Sequence, residues 1–158
     1  MKQPEKTNAM RILDRLGVAY TVHFYADTDA VGGVDVANAL GENPEQVFKT
    51  LVTRSGGNIN YVFMLPVNCE LDLKKAAKAV GEKSIEMIKS KELFPLTGYV
   101  HGGCSPIGMK KQFRTVVDET AQLFDTIMFS AGKIGFQLET SPEGLSRAIP
   151  FDYADICV

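Results

Sequence analysis

Two apolar runs separated by a short polar turn are the feature that most restricts the fold. Residues 47–53 and 59–65 are rich in β-branched and aromatic side chains, and Ser55-Gly56-Gly57-Asn58 lies between them. Apolar runs of this length around a glycine turn predict a β-hairpin. Pro66 is expected to end the second strand, because proline cannot donate a hydrogen bond to a neighbouring strand. The other elements must therefore pack around an antiparallel strand pair.

Short helices and strands are predicted on both sides of this hairpin. Capping residues and apolar spacing predict helices at 7–17, 34–40, 71–80, 90–94 and from 141, with helical turns at 43–46 and 118–124. Strands are predicted at 18–25, 84–88, 113–117, 126–130 and 136–139, and residues 154–158 are expected to add an edge strand. Hairpins with interspersed helices indicate an α/β fold with a mixed, mostly antiparallel, curved sheet surrounded by short helices.

Composition indicates a single globular domain over residues 1–158. Hydrophobic residues make up 45% of the 158 residues and charged residues 23%, and no internal repeat or linker interrupts the chain. A formal net charge of −2 argues against a protein that coats nucleic acid through bulk electrostatics. Any contact with nucleic acid is expected to be local.

The cysteines, the histidines and the amino terminus predict a cytoplasmic protein without metal or cofactor. The first six residues contain no apolar segment typical of a signal peptide, and no later run is long enough to span a membrane. Three widely spaced cysteines, Cys69, Cys104 and Cys157, do not suggest a disulfide framework or a zinc site. With only His23 and His101 as imidazole ligands, a metal centre is not expected.

A glycine-rich segment at 100–111 is the strongest candidate for a ligand site. Gly102, Gly103 and Gly108 allow backbone N–H groups to approach a bound phosphate or a developing oxyanion. Residues 93–117 contain no acidic side chain but include Lys110, Lys111 and Arg114, which predicts a locally positive potential. The alternative interpretation is a surface turn before a strand.

Lys49 is a second candidate, since it lies inside the apolar strand at 47–53. One interpretation is a lysine whose aliphatic stem covers the sheet while its ammonium reaches water. The other is a cationic anchor within a pocket, whose pKa burial would lower and a bound phosphate would raise again. The strand pattern alone leaves both open, and His23 is interpreted as a polar residue on the surface of the preceding strand.

Several catalytic motifs are excluded by the residues present. Gly103 and Gly108 have the spacing of a phosphate-binding loop, but Met109 stands where lysine is required, and neither G-x-G-x-x-G nor G-x-S-x-G is present in a suitable context. Cys104 with His101 leaves open a cysteine-nucleophile hydrolase, although no orienting partner is evident. A lysine, a glycine loop and several hydroxyl groups suit an anionic or carbonyl-bearing ligand, held by positioning and electrostatics.

Three segments together resemble the YbaK/EbsC family, which is related to the editing domain inserted in bacterial prolyl-tRNA synthetases. They are 43–52 (NPEQVFKTLV), 102–111 (GGCSPIGMKK) and 130–135 (SAGKIG), and the similarity extends over essentially the whole chain. The resemblance implies a curved sheet close to an incomplete barrel. It also implies a trans-acting editing enzyme that removes cysteine from mischarged Cys-tRNA(Pro), often alongside prolyl-tRNA synthetase. In such enzymes the substrate's own thiol attacks the ester and leaves as a thiolactone.

The resemblance also implies roles for individual residues. Lys49 matches a functional lysine that anchors the aminoacylated end of the tRNA, and Gly102 and Gly103 belong to a loop whose backbone faces the ester, so these three are the expected catalytic residues. Lys110 and Lys111 are candidates for RNA contact. The expected substrate-binding residues are Tyr25, Thr50, Ser105, Pro106, Ser130, Gly132 and Gln137.

Two positions depart from the pattern of cysteine-specific family members. Gln137 stands where an acidic residue is expected, and Gly32 stands where an aromatic side chain often lines the pocket. A neutral, wider pocket predicts a different amino acid, such as alanine, or a different tRNA. A non-catalytic module that binds a nucleotide or a tRNA end is the remaining alternative.

Overall fold

The computed structural model of the protein describes residues 6–158. The helices are α1 (Asn8–Leu16), α2 (Gly33–Ala39), α3 (Leu73–Val80), α4 (Ser90–Thr97) and α5 (Pro142–Ala148), with a 3-10 helix at Glu119–Leu123. The strands are β1 (Thr21–Phe24), β2 (Phe48–Ser55), β3 (Asn60–Pro66), β4 (Ile85–Met87), β5 (Arg114–Asp118), β6 (Ile127–Ser130), β7 (Phe136–Thr140) and β8 (Asp152–Ala154).

Local capping explains where several helices begin and end. The Thr7 hydroxyl accepts a hydrogen bond from the Met10 N–H at the start of α1, and Gly17 ends that helix with φ of 67°. The Asp72 carboxylate caps α3 in the same way, and Gly81 ends it with φ of 74°. The caps of α1 and the end of α3 at Gly81 are as predicted, whereas α3 begins two residues after the predicted start at 71.

Two predicted helical segments differ in the structure. α4 is capped at Lys89 rather than at Ser90, because the Glu92 carboxylate accepts a hydrogen bond from the Lys89 N–H at 2.9 Å. The helix also continues through Pro95 to Thr97, three residues beyond the predicted end. Residues 43–46 form only a hydrogen-bonded turn, because the chain enters a β-bridge at Val47 immediately afterwards.

The predicted hairpin forms the centre of a five-stranded sheet in the order β4-β2-β3-β5-β8. β2 and β3 pair antiparallel from Phe48–Pro66 to Arg54–Asn60, whereas β3–β5 and β5–β8 are parallel. The edge strand predicted at 154–158 instead occupies Asp152–Ala154, and Cys157 forms only an isolated bridge with Leu71. The prediction was wrong by a few residues because the tail pairs with two different partners.

A second, three-stranded antiparallel sheet has the order β1-β7-β6. The two sheets meet where Val47 bridges Met128 in parallel orientation, with a hydrogen bond of 3.1 Å from the Met128 N–H to the Gln46 carbonyl. The Val67 N–H donates to the Val47 carbonyl at 2.8 Å on the other side of this junction. The sheets therefore curve around one another without closing into a barrel, and the predicted mixed, mostly antiparallel α/β fold is confirmed.

The main core lies between α1, α5 and one face of both sheets. Fully buried side chains meet there from all three layers, including Leu13, Met64, Ile107, Ile127, Phe129, Leu138 and Leu145. α3 packs on the opposite face of the five-stranded sheet against Phe63, Leu65 and Val116. Because β3 is covered on both faces, its sequence is almost continuously apolar.

We expect Asp118→Ala to destabilise the fold, because its buried carboxylate joins the 3-10 helix to the carboxyl-terminal tail. The two carboxylate oxygens accept hydrogen bonds from the Ile156 N–H at 3.1 Å and from the Thr120 hydroxyl at 2.6 Å. The loss leaves the Ile156 N–H unpaired and should lower the free energy of unfolding by about 2–3 kcal/mol. Urea unfolding measures this difference, and Asp125→Ala, at an exposed position, is the control. Equal stability of the two variants would contradict the assignment.

Candidate active site

The strand junction brings Lys49 beside Ser130. Side chains alternate along a strand, so Lys49 shares a face with Val47, and Ser130 shares a face with Met128. Val47 and Met128 form the bridge that joins β2 to β6, and the two strands run parallel there. Two residues further along each strand, Lys49 and Ser130 therefore lie next to each other on the same face.

Strand register extends this face across the three-stranded sheet. Gln137 in β7 is paired with Ser130 on one side and with His23 on the other. Glu139, two residues after Gln137, points to the same side. We call this surface the site face, and it carries Lys49, Ser130, Gln137, His23 and Glu139. Its apolar part, around Val47 and Met128, is covered by Ala37 of α2.

The turn at 130–135 connects the site face to its surroundings. The Ser130 hydroxyl accepts a hydrogen bond from the Gly132 N–H at 3.2 Å, which fixes the start of the turn. At its end, the Gly135 carbonyl accepts a hydrogen bond from the Tyr25 N–H at 2.8 Å. Gly132 has φ of 97°, and a Cβ added there would lie 2.9 Å from the Tyr99 ring. Both the conformation and the close approach therefore require glycine.

The glycine-rich loop packs against this turn. A Cβ at Gly103 would lie 3.1 Å from the backbone nitrogen of Ile134, so the two loops are in close contact. The Tyr99 hydroxyl donates a hydrogen bond of 2.5 Å to the Ile107 carbonyl, which closes the loop on itself. Gly102 has φ of 85° and is exposed at the end of the loop nearest Ile134. The predicted residues Gly102, Gly103, Ser130 and Gly132 are thus brought together.

Other predicted site residues lie elsewhere. Thr50 points to the opposite side of β2 from Lys49, and its buried hydroxyl has no hydrogen-bond partner. Ser105 is fully buried, with its hydroxyl accepting a hydrogen bond from the Ile107 N–H, and Pro106 is buried beside it. The Lys110 ammonium lies 5.1 Å from the centre of the Phe94 ring, whereas Lys111 is exposed.

Cys104 is poorly suited to nucleophilic attack. Its side chain is buried among Val52, Val62 and Tyr99, and only 8% of the residue is exposed. Burial raises the pKa of the Cys104 thiol to about 12, so the thiol is protonated at neutral pH. His101, three residues earlier in the chain, is exposed. The structure therefore argues against the alternative of a cysteine-nucleophile hydrolase.

A polar network on the site face was not predicted from the sequence. The His23 Nε2 atom lies 2.7 Å from a carboxylate oxygen of Glu139, and the Thr126 hydroxyl donates to the other oxygen at 2.5 Å. The Thr126 hydroxyl and, to a smaller extent, His23 hold the pKa of Glu139 below its usual range. Gln46 donates in turn to the Thr126 carbonyl at 2.8 Å. Strand alternation placed His23 on a polar side, but its partners depend on register between distant segments.

Glu42 is the least expected member of this group. Only 7% of its side chain is exposed, and its carboxylate lies 3.9 Å from the His23 Nε2 atom. Burial raises the pKa of Glu42, and this effect is opposed by the nearby Gln137 amide and by His23. The replacement of an expected acid by Gln137 suggested a neutral site, yet the structure places a carboxyl group beside that amide.

The comparison with protein families identifies this arrangement. Residues 28–148, which include every residue of the site face except His23, match the model of the aminoacyl-tRNA editing domain. The chain belongs to the aminoacyl-tRNA editing domain family. The predicted YbaK/EbsC membership is thereby confirmed.

Relatives of known name and structure agree with this membership. The editing domain is 45% identical over 156 residues to EbsC of Enterococcus faecalis, named as a proposed Cys-tRNA(Pro)/Cys-tRNA(Cys) deacylase, with 98% of this chain and 95% of the relative covered. A proposed trans-editing enzyme for prolyl-tRNA synthetase matches with a TM-score of 0.82 and 23% identity, covering 98% and 99% of the two chains. The hypothetical protein APE2540 matches with a TM-score of 0.85 and 21% sequence identity, covering 94% of this chain and 97% of that protein's chain. These two structures support the fold.

Membrane-spanning helices and metal-binding clusters are both absent from residues 6–158 of the editing domain. None of the helices there combines the length and the apolar character needed to cross a membrane. In the same part of the chain, no group of three or more His, Cys, Asp or Glu side chains is placed to hold a metal ion.

We expect Gly103→Ala to lower deacylase activity by at least tenfold in kcat/KM. The added methyl group would press on the Ile134 backbone and displace the loop from the 130–135 turn, and small displacements of positioning groups reduce rates strongly. Gly57→Ala in the hairpin turn is the matched control, because its Cβ would lie 3.7 Å from the nearest atom, a normal contact distance. An unchanged rate for Gly103→Ala would show that this contact does not position the site.

Proposed function

We propose that the chain is a single editing domain that acts in trans on Cys-tRNA(Pro) and removes the misattached cysteine. The observation that carries this proposal is the convergence of Lys49, Ser130 and the two glycine loops at one end of the site face. Membership of the editing family and the 45% identity to a relative named for Cys-tRNA deacylation support the choice of substrate.

Lys49 is proposed to hold the aminoacylated end of the tRNA. Among residues 6–158 no carboxylate lies within ion-pair distance of its ammonium group, so its charge remains available for a phosphate or an ester carbonyl. Gly102 presents its backbone at the exposed end of the adjacent loop, where amide groups can face the ester oxygen. The aliphatic stem of Lys49 would lie along the apolar part of the face beside Val47.

The cysteine of the substrate is proposed to supply the nucleophile. Its sulfur attacks the ester carbonyl carbon, a C–S bond forms, and the C–O bond to the ribose breaks. The thiol proton passes to the departing ribose oxygen, which leaves cysteine thiolactone and intact tRNA. Intramolecular attack reaches effective molarities on the order of 10⁵ M or more when the groups are well oriented. The protein therefore needs only to orient the thiol and the ester, and no protein side chain has to act as the nucleophile. The Cys104 thiol is buried and protonated, which is consistent with a mechanism in which the substrate supplies the nucleophile.

Selection of the tRNA is proposed to involve a synthetase partner. The chain has a net charge of −2, and the affinity of proteins for nucleic acid depends strongly on the number of phosphates neutralised. Lys110 and Lys111 are candidates for local RNA contact, although the Lys110 ammonium also packs on Phe94. Prolyl-tRNA synthetase, which produces the mischarged substrate, would deliver the acceptor end.

Lys49→Ala should reduce the rate of Cys-tRNA(Pro) deacylation by at least about a hundredfold. Removal of one hydrogen-bond donor that stabilises a transition state lowers kcat by about this factor. Lys74→Ala, on the exposed side of α3, provides a lysine control with unchanged activity. Cys104→Ala should also keep its activity. Loss of labelled cysteine from purified Cys-tRNA(Pro), with Ala-tRNA(Pro) in parallel, measures these effects. Full activity of Lys49→Ala would overturn the proposal, and cleavage of Ala-tRNA(Pro) alone would change the substrate.

A further inference from the structure

The position of Glu42 follows from the end of α2. Gly41 adopts φ of 69°, a left-handed conformation that turns the chain sharply after the helix. The Glu42 N–H then donates to the Ala37 carbonyl at 2.8 Å, which fixes the backbone of Glu42 against the helix. The turn directs the Glu42 side chain toward His23 and Gln137 on the site face.

The Glu42 carboxylate is buried without a hydrogen-bond partner. Both of its oxygens are inaccessible to solvent, and the nearest basic nitrogen, His23 Nε2, lies 3.9 Å away. That nitrogen is already bonded to Glu139 at 2.7 Å. A carboxyl group that is buried without a hydrogen-bond donor destabilises a fold, whereas a buried carboxyl group with a donor does not. Within residues 6–158, the His23 nitrogen and the Gln137 amide are the groups that offset the charge of this acid, and burial outweighs them.

Gln137 beside it is also incompletely paired. It is 3% exposed, and its side-chain carbonyl oxygen has no hydrogen-bond partner. Gln137 is in register with Ser130, which borders the two glycine loops, and Lys49 lies on the same face next to Ser130. Two neighbouring acceptors are therefore positioned at the site where the aminoacyl group would bind, and the Gln137 amide is the donor nearest to Glu42.

We propose that Glu42 and Gln137 form the subsite for the α-amino group of the aminoacyl ester. This inference rests on the proposed deacylase function. An aminoacyl ester carries one cationic, N–H-donating group, and acceptors next to a buried negative charge are the chemistry that recognises it. Gln137 makes the contact, and Glu42 acts as a positioning residue that supplies the charge and orients the Gln137 amide. Lys49 is left to hold the phosphate or the carbonyl oxygen.

The stability of Glu42→Gln separates this role from a structural one. The pKa of Glu42 is raised in the folded protein, so its ionised form destabilises the fold at pH values above that pKa, and the penalty disappears as the pH falls below it. The groups facing it are His23 from β1 and Gln137 and Glu139 from β7. Glu42→Gln should therefore raise the melting temperature by about 2–4 °C at pH 8 but leave it unchanged at pH 4. A residue kept for folding would show a fall instead.

The decisive experiment compares two substrates that differ only in the amino group. Cys-tRNA(Pro) and 3-mercaptopropionyl-tRNA(Pro) both carry the thiol and the ester, but the second lacks the α-amino group. The wild-type protein should cleave the first with kcat/KM higher by about tenfold to a hundredfold, as expected for a hydrogen bond to a charged group. Glu42→Gln should lose most of this preference, and the double variant Glu42→Gln/Gln137→Glu should regain it. Glu45→Gln, exposed in the following turn, is the control.

Each outcome bears on the inference. Equal cleavage of the two substrates by the wild-type protein would overturn it while leaving the deacylase function intact. An unchanged preference in Glu42→Gln, or a lower melting temperature of that variant at pH 8, would also overturn it. If the wild-type protein cleaved neither ester, the proposed function and the inference would both fail.

Discussion

The junction between β2 and β6 is the constraint on which the rest of the structure depends. The backbone hydrogen bond from Met128 to Gln46 and the bridge between Val47 and Met128 attach the three-stranded sheet to the hairpin, and the bond from Val67 to Val47 extends the hairpin pairing to the same point. Without them, Lys49 and Ser130 would belong to two unconnected sheets. With them, the lysine, the serine and the turn that follows the serine occupy one face. A few main-chain contacts thus bring residues from two sheets together in a single candidate site.

Two neighbouring residues at the site face have buried polar atoms without a hydrogen-bond partner: the Glu42 carboxylate and the Gln137 carbonyl oxygen. The Thr50 hydroxyl and the Arg54 Nε atom, both on β2, are also unpaired, whereas other buried polar side chains are satisfied; Asp118, for example, uses both oxygens. Unsatisfied groups destabilise a protein, and their concentration in one region is characteristic of binding sites rather than of structural cores. The distribution of these groups supports the same location as the glycine loops do.

The sequence predicted what local chemistry determines. The hairpin, the caps of α1, the glycine that ends α3 and the opposite orientation of Lys49 and Thr50 follow from residues within a few positions of one another. The pairing of β8 and the contact between Gly103 and Ile134 depend on tertiary register instead. Glu42 shows the difference most clearly, because its neighbours His23 and Gln137 are 19 and 95 positions away in the chain. No spacing rule joins such residues before the sheets are assembled.

The account places the nucleophile in the substrate and gives the protein the task of holding the ester and the thiol together. The most direct measurement compares cleavage of Cys-tRNA(Pro) with that of tRNA(Pro) carrying S-methylcysteine, which has the same ester and amino group but no free thiol. The account predicts rapid release from the first and only background hydrolysis of the second. Equal rates would contradict it, because a water molecule or a protein group would then be the nucleophile.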